Sequence, residues 1–142
     1  MANFPKPRWY MRLRYRARRA LWEIRGDYEE PEYYLLPFLV DPGRAAIDVG
    51  ANYGGYAGRL ATLTRRVHCF EPNPDNVAGL RARMSDSVVV HQAAASSRNG
   101  KAEIVIPRGL GAAQAGAQAT IEPENPVATT PGSERIVVDV VR

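Results

Sequence analysis

Fourteen residues, Ile47 to Leu60, combine an apolar strand pattern, a glycine-rich turn and the start of a helical pattern in the run IDVGANYGGYAGRL. Glycine adopts backbone conformations that other residues avoid, and it lets the backbone approach a ligand closely. Phosphate, dinucleotide and adenosyl sites are all built on such a turn, because the first amides of the following helix favour an anionic group. The spacing of the glycines, and the residues downstream, must decide among these ligands.

The glycine spacing argues against two of them. The dinucleotide fingerprint places glycines at the first, third and sixth positions of G-x-G-x-x-G, and Asn52 occupies the third position here. A phosphate-binding P-loop is excluded because no Gly-Lys-Ser/Thr follows the turn. What remains is a carboxylate at the strand end (Asp48), a glycine that permits a tight turn (Gly50), and a glycine at a helix start where the backbone approaches a ligand (Gly54).

A second acidic residue, Glu71, follows the apolar run 67–70 and lies 21 residues after Gly50. A carboxylate at the end of the next strand can accept hydrogen bonds from both hydroxyls of a ribose, as the acidic residue about 20 positions on does in dinucleotide folds. Together, the turn and Glu71 predict an adenosyl ligand at the carboxyl ends of a parallel sheet. The missing middle glycine argues against a pyrophosphate.

Structural explanations stay open for each of these residues. Asp48 would cap the following turn, Asn52 would adopt a left-handed turn conformation, and Glu71 would be a solvated loop acid. Each explanation is reasonable alone, but the three residues in this order favour a site. We interpret Asp75 and Asn76 as residues of a helix start and not as ligands.

Strand and helix patterns alternate through the first two thirds of the chain. Apolar residues at helical spacing predict helices over 32–40, 54–63 and 75–84. Short apolar runs predict strands over 45–49, 67–70 and 88–91. Alternation at this pitch predicts an α/β fold in which parallel strands are joined by right-handed crossovers.

The alternation ends after residue 92. Residues 93–96 are expected to be extended, and Asn99-Gly100 predicts a hairpin turn into a strand over 102–106. Residues 109–132 are rich in Ala, Gly, Gln, Thr and Pro and contain few large apolar side chains, which predicts a flexible loop. A last apolar run predicts a strand over 135–141.

Three blocks of the sequence occur in the order and spacing of a known family. They are DVGANYGGY from Asp48, FEPNP from Phe70 and VHQAAASSRNGKAE from Val90. Over roughly residues 40–142 the chain resembles the N-terminal half of the FkbM family of S-adenosylmethionine-dependent methyltransferases. The resemblance implies a Rossmann-like class I methyltransferase fold, S-adenosylmethionine as cofactor and, as in many members, methylation of a hydroxyl on a sugar or other small natural product.

The resemblance also implies roles for individual residues. The cofactor loop would be formed by Asp48, Gly50, Asn52 and Gly54, the ribose would be held by Glu71, and the adenine would pass Gln92 and Ala93. It identifies no catalytic base. We interpret His68, inside an apolar strand, as a packed core residue, and His91 lies near a strand end.

The family continues beyond the segment that matches 135–141, so the resemblance implies an incomplete sheet that lacks the C-terminal strands. Three explanations stay open: a truncated gene product, a fragment of a longer enzyme, which we favour, and a half-domain completed by a partner chain. In this fold the third, second and first strands lie in that order. The strand over 45–49 would then present an open edge, which predicts a risk of self-association.

Charge divides the chain into a basic arm, residues 1–31, and a methyltransferase-like half-domain, residues 32–142. Residues 1–25 hold eight basic side chains and one acidic side chain, a net charge of +7, whereas the remaining 117 residues sum to −3. One helical face of the arm is apolar and has arginines around it; its members are Tyr10, Leu13, Ala17, Ala20, Leu21 and Ile24. We interpret this as a basic amphipathic helix that docks its apolar face on the domain.

An alternative is that the arm binds an anionic membrane surface or an acidic protein, and that the chain is a non-catalytic remnant docking through it. Nucleic acid is not an expected partner, because the chain beyond the arm supplies no matching basic face. A lone Cys69 excludes an intrachain disulfide and gives no metal-ligand spacing, so it is expected to be a buried strand residue. No apolar run reaches the roughly 18 residues of a membrane-spanning helix, and the expectation is a cytoplasmic protein acting on a small-molecule or carbohydrate acceptor.

Overall fold

The computed structural model describes residues 32–107 and 131–142 continuously, together with Thr120 and isolated residues between 7 and 30. The two continuous ranges contain three helices: α1 (Glu32–Leu39), α2 (Gly55–Leu63) and α3 (Pro74–Arg83). They also contain six strands: β1 (Ala46–Val49), β2 (Val67–Phe70), β3 (Val88–His91), β4 (Ala94–Ala95), β5 (Gly100–Ile106) and β6 (Glu134–Val141). The mixed α/β class is confirmed, and the helix and strand bounds lie within two residues of those predicted.

The first sheet is parallel, as the α/β alternation predicts, and its order is β1-β2-β3, as the family resemblance implies. Its register aligns the last residues of the three strands, because Val49 is paired with Phe70 and Phe70 with His91. The residues that directly follow the strands, Gly50, Glu71 and Gln92, therefore leave the sheet at one edge. This is the edge at which open α/β sheets bind their ligands.

One face of this sheet packs against α2 and α3. Side chains alternate between the two faces of a strand, so Val67 and Cys69 of β2 both point to the helices and are fully buried. They join Leu60 of α2 and Leu80 of α3 in one apolar cluster. Helix α1 is attached beside α2, where Tyr33 meets Tyr56 edge to face at 5.6 Å. The prediction of a buried Cys69 is confirmed.

The alternate side chains lie on the opposite face, and there the prediction for His68 is wrong. His68 is half-buried and not a packed core residue. Its Nδ1 lies 3.0 Å from Nε2 of His91, whose ring also stacks on Phe70 at 4.6 Å. On the same face, Ile47 is 66% exposed and Val49 is 62% exposed. The apolar neighbours of His68 in the sequence suggested a core position, but the alternation of side chains along β2 turns the His68 side chain away from the helices.

The second sheet has the order β4-β6-β5 and corrects the predicted hairpin. β4 and β5 flank β6: β4 pairs with it in parallel over two residues, and β5 pairs with it antiparallel over seven positions. β6 is long and alternates apolar with polar residues, so it can pair with β5 over its whole length, whereas β4 has only two alanines to pair. Ile104, Ile106, Val138 and Val140 form the resulting core with Ala94.

The predicted flexible loop 109–132 lies almost entirely outside the described residues. Thr120, within it, forms an antiparallel bridge with Val105: Val105 N donates to Thr120 O at 2.9 Å, and Thr120 N donates to Val105 O at 3.1 Å. Residues 131–132 form a turn before β6.

The described residues between 9 and 21 are helical, as predicted for the arm. Arg12 is paired with Asp86, beyond the end of α3, at 2.8 Å. The predicted docking of the apolar face is wrong for most of its described members, because Leu13 is 60% exposed, Leu21 is 44% exposed, and Ala17 and Ala20 are also exposed. None of the helices that the structure describes is long and apolar enough to cross a membrane.

Candidate ligand site at the carboxyl edge of the parallel sheet

The turn between β1 and α2 uses three residues with left-handed backbone. φ is +76° at Gly50, +46° at Asn52 and +82° at Gly54. The amides of Gly50 and Ala51 both donate to the carbonyl of Phe70, at 2.9 and 3.2 Å, which ties the turn to the end of β2. The left-handed conformation proposed for Asn52 is thus confirmed, and asparagine is one of the residues that tolerate it.

The two outer glycines are required for different reasons. A Cβ at Gly54 would lie 2.4 Å from Cε of Met84 and 2.6 Å from Cδ2 of Leu80, so the absence of a side chain allows α2 to pack against α3. A Cβ at Gly50 would meet nothing within 4 Å. Packing therefore explains Gly54, whereas the space beside Gly50 is open. The sequence motif alone did not distinguish these roles, and a cofactor role for either glycine stays a prediction.

Glu71 is 5% exposed and is not the solvated loop acid that the sequence left open. Its Oε2 accepts a hydrogen bond from the amide of Asn52 at 2.7 Å, and its Oε1 accepts one from the amide of Asn73 at 2.9 Å. Glu71 thus joins the glycine turn to the start of α3. A carboxylate oxygen has two lone pairs, so each oxygen keeps one acceptor position beyond these contacts.

Two asparagines of the following segment complete this polar cluster. The sequence interpretation did not include Asn73, and it placed Asn76 at the helix start, where the structure has it, without its contact to the turn. Asn73 is the N-cap of α3, where its side chain accepts from the amide of Asp75 at 3.0 Å. Asn76 is 4% exposed, and its Nδ2 donates to Oδ1 of Asn52 at 3.2 Å. The Asn73-Pro74 pair was the available signal, because proline is favoured directly after an N-cap. The contact between Asn76 and Asn52 had no local signal.

Asp48 buries a carboxyl group beside Glu71. Burial raises its pKa above the usual 3.8, the charge of Glu71 raises the pKa further, and a hydrogen bond from the amide of Ala57 opposes both effects. Ala57 is the third residue of α2, whose N-cap is Gly54, so Asp48 interacts with an amide in the first turn of that helix. Its Oδ2 is buried and has no hydrogen-bond partner among the described residues. A buried acceptor of this kind is costly unless a donor reaches it.

Gln92 and Ala93 follow β3 on the same edge. Gln92 is exposed and Ala93 is 6% exposed. The amide of Glu71 donates to the carbonyl of His91 at 3.1 Å, which places the start of this segment directly beside Glu71. The structure thus brings Asp48, Gly50 and Asn52 together with Glu71, and it places Gln92 and Ala93 on the same edge. The adenine role of these last two residues is still a prediction.

Outside this edge, the described residues form no second candidate for a reaction centre. A groove of about 680 Å³ runs along α3 and β3, where its lining includes Arg81, Met84 and Val90, but none of the seven predicted site residues. Over the described residues, no group of three or more His, Cys, Asp or Glu side chains could hold a metal ion. Burial and the nearby Asp48 raise the pKa of Cys69 to about 12, so its thiol is not a nucleophile at neutral pH.

No protein family model matches the chain, and no curated protein matches it significantly. Among solved structures, it is similar to the crystal structure of methyltransferase FkbM from Methylobacillus flagellatus KT, with 18% sequence identity and a TM-score of 0.40. The match covers 81% of this chain and 27% of that chain, so this chain spans about a quarter of the length of the methyltransferase. A TM-score this low does not establish a common fold.

Proposed function

We propose that the chain binds S-adenosylmethionine at the carboxyl edge of β1, β2 and β3, as part of a Rossmann-like methyltransferase. The observation that carries the proposal is the carboxyl group of Asp48, whose buried Oδ2 lacks a donor among the described residues and which lies close to a second acid, Glu71. Two acidic groups on one edge favour a cationic ligand rich in donors. They disfavour a pyrophosphate, because like charges in a half-buried site repel one another.

S-adenosylmethionine fits this donor requirement. Its ammonium group would donate to Oδ2 of Asp48, and its ribose hydroxyls would donate to the remaining lone pairs of Glu71. The open side of Gly50 leaves room for the backbone to approach the ligand, since a Cβ there would meet nothing within 4 Å. Gln92 and Ala93, which follow the neighbouring strand, would border the adenine. Asn52 would act indirectly, because its amide and side chain already hold Glu71 and Asn76.

The bound cofactor supplies a methyl group that its sulfonium has already activated. The protein then has to hold the acceptor oxygen in line with that methyl group and exclude water, and such positioning accounts for a large share of enzymatic rate enhancement. A base that removes the acceptor's proton would add about 10²–10⁴-fold. The proposal assigns no residue of this chain to that role.

The acceptor in this proposal is a hydroxyl group on a sugar or another small natural product. Its support is the resemblance of the three sequence blocks to the FkbM family, in which many members act on such hydroxyls. Transfer to that acceptor is proposed for a whole enzyme of which this chain would be the N-terminal half. The chain itself is proposed to provide the cofactor edge.

The test is calorimetric titration of the folded chain with S-adenosylhomocysteine, NAD⁺ and uridine diphosphate glucose, each in a separate experiment. The proposal predicts saturable binding of S-adenosylhomocysteine with one site per chain, and binding of the two pyrophosphate ligands that is weaker by about tenfold or more, since a single unfavourable charge contact is worth at least this factor. Preferred binding of NAD⁺ or the nucleotide sugar would replace the methyltransferase proposal with a different Rossmann-like function. A folded chain that binds none of the three would contradict it.

A further inference from the structure

The helical part of the basic arm presents an apolar face to solvent. Trp9 is 66% exposed, Leu13 is 60% exposed and Leu21 is 44% exposed, and Ala17 and Ala20 are exposed between them. Residues three and four positions apart share one face of an α-helix, so these five side chains form a continuous stripe. We call it the arm stripe. An exposed stripe of this length needs an explanation, because a helix of a soluble domain ordinarily buries its apolar face.

Charge restricts what can cover the arm stripe. Residues 1–25 carry eight basic groups and one acidic group, whereas residues 26–142 sum to −3. One of the arginines, Arg12, is paired with Asp86, but the Asp86 side chain is 90% exposed, and surface ion pairs contribute little. Arg16, on the same helix, is exposed. The surface that covers the arm must therefore combine negative charge with an apolar interior.

We propose that the arm stripe inserts into the headgroup region of an anionic lipid bilayer while the arginines around it contact the lipid phosphates. Interfacial helices combine an apolar face containing Trp, Phe or Leu with a polar face rich in Lys and Arg, and the arm has both. Tryptophan is also enriched at the membrane–water interface, and the chain carries its two tryptophans, Trp9 and Trp22, in the arm. The net negative charge of the remaining chain confines lipid contact to the arm.

A lipid surface fits better than an acidic protein. The stripe has small alanines between larger apolar side chains, and the sequence places arginines on both of its flanks. A fluid bilayer can surround such a helix with anionic headgroups on both sides while taking up its apolar side chains. A protein partner would instead need a groove of matching shape with acidic groups along both rims.

Helix α1 offers an internal contrast. Phe38 is 85% exposed and Leu39 is 70% exposed, so α1 also presents apolar side chains to solvent. The one charged residue of α1 is Glu32, at its start, and α1 contains no basic residue. Phe38 therefore tests whether any exposed apolar side chain suffices or whether the basic arm is required.

The experiment uses the intrinsic tryptophan fluorescence of the full chain, because both tryptophans belong to the arm. The chain is mixed with vesicles of phosphatidylcholine alone, or of phosphatidylcholine with phosphatidylglycerol, and bound protein is measured by cosedimentation. We expect a blue shift and cosedimentation with the anionic vesicles only. Both should decrease as salt is added, because salt screens the contacts between arginine and phosphate.

Three variants locate the contact. Leu13→Asp is expected to weaken binding to anionic vesicles by about tenfold or more, because the burial of one leucine side chain contributes at least this factor to an affinity. Arg16→Glu is expected to weaken binding chiefly at low salt. Phe38→Ser, the matched control, is expected to bind as the parent chain does. Circular dichroism checks that each variant is folded, and all three positions are solvent-exposed in the structure.

Several outcomes would overturn the lipid assignment. Equal binding to both vesicle types would remove the requirement for anionic lipid, and unchanged binding of Leu13→Asp would remove the arm stripe. Loss of binding in Phe38→Ser would transfer the contact to α1. Binding to soluble polyglutamate without any vesicle binding or blue shift would indicate an acidic protein partner. The measurement needs no cofactor, so its outcome is independent of the proposed methyltransferase function.

Discussion

At the scale of single residues, the candidate site contains an interaction that costs stability. Asp48 is half-buried beside Glu71, and one of its oxygens has no donor in the described part of the chain. The hydrogen bond from Ala57 offsets only part of this cost, because the pKa of Asp48 stays above 3.8. Strain of this kind is concentrated at functional sites, where a ligand relieves it. The replacement of Asp48 should therefore change stability and ligand binding in opposite directions.

The variant Asp48→Asn is expected to have a higher free energy of unfolding than the parent chain at neutral pH. The folded parent binds the Asp48 proton more tightly than the unfolded chain does, so its stability falls as pH rises from below 3.8 through the higher folded pKa. Asparagine has no such titration and keeps an acceptor for the Ala57 amide. Urea unfolding of both proteins from pH 3 to pH 8 (about the range in which carboxyl groups titrate) measures the difference.

The stability advantage of Asp48→Asn should increase with pH and level off above the folded pKa. The same variant should bind S-adenosylhomocysteine more weakly. A pH-independent difference in unfolding free energy would show that the burial of the Asp48 charge does not limit stability.

Cys69 gives a second prediction at this scale. Its thiol is fully buried and its pKa is raised to about 12, so the thiolate is scarce at pH 8 and the sulfur is inaccessible. A thiol reagent such as dithionitrobenzoate is expected to react readily with the unfolded chain in urea. Its reaction with the folded chain should be limited by the rate at which the chain opens. Rapid reaction of the folded chain would place Cys69 outside the core.

At the scale of elements, local pattern predicted most of the boundaries. The apolar spacing that gave α2, α3 and the first three strands acts within a few residues, and β2 and β3 have their predicted bounds. The pairing of β5 was not predictable in this way, because its partner β6 begins 28 residues after β5 ends. Asn99-Gly100 suggested a hairpin with the preceding segment, whereas the longer apolar alternation of β6 pairs with both β4 and β5.

The glycine turn shows the same limit of local information. Its left-handed backbone was predictable from the glycines and from Asn52, since few other residues accept such φ values. The reason for Gly54 was not predictable, because it depends on Leu80 and Met84 in another helix. Glu71 was predicted as a site residue, but its contacts with the amides of Asn52 and Asn73 require the folded geometry.

The variant Gly54→Ala is expected to destabilise the chain by about 3 kcal/mol. This sum combines the cost of a left-handed conformation for alanine with the overpacking of its Cβ against Leu80 and Met84. The free energy of unfolding in urea measures the effect. A loss of no more than about 1–2 kcal/mol, the cost of the left-handed conformation alone, would show that Leu80 and Met84 accommodate the added Cβ.

At the scale of the whole molecule, the parallel order β1-β2-β3 brings together residues that are distant in sequence. The α/β alternation predicted parallel strands, and the family resemblance implied their order; the structure brings Asp48 close to Glu71 in this arrangement. Among the described strands β1 pairs with β2 alone, and its residues Ile47 and Val49 are largely exposed. Self-association through this edge stays a prediction, which sedimentation at several protein concentrations would test.

The central claim is that the open space beside Gly50 is part of a cofactor site, and a matched pair of glycine variants tests it. Gly50 and Gly132 have nearly the same left-handed backbone, with φ of +76° and +79°, and a Cβ would meet nothing within 4 Å at either position. Gly50→Ala and Gly132→Ala should therefore cost similar stability, about 1–2 kcal/mol each. Only the first places a methyl group at the carboxyl edge of the parallel sheet, directly after β1.

Calorimetric titration of the parent chain and both variants with S-adenosylhomocysteine is the most direct measurement. We predict that the parent and Gly132→Ala bind with the same Kd. Gly50→Ala should bind at least about tenfold more weakly, because its methyl group would occupy space that the ligand needs, and a tenfold change in Kd corresponds to about 1.4 kcal/mol. Equal affinity of Gly50→Ala and Gly132→Ala, with both variants folded, would contradict the assignment of the cofactor to this edge.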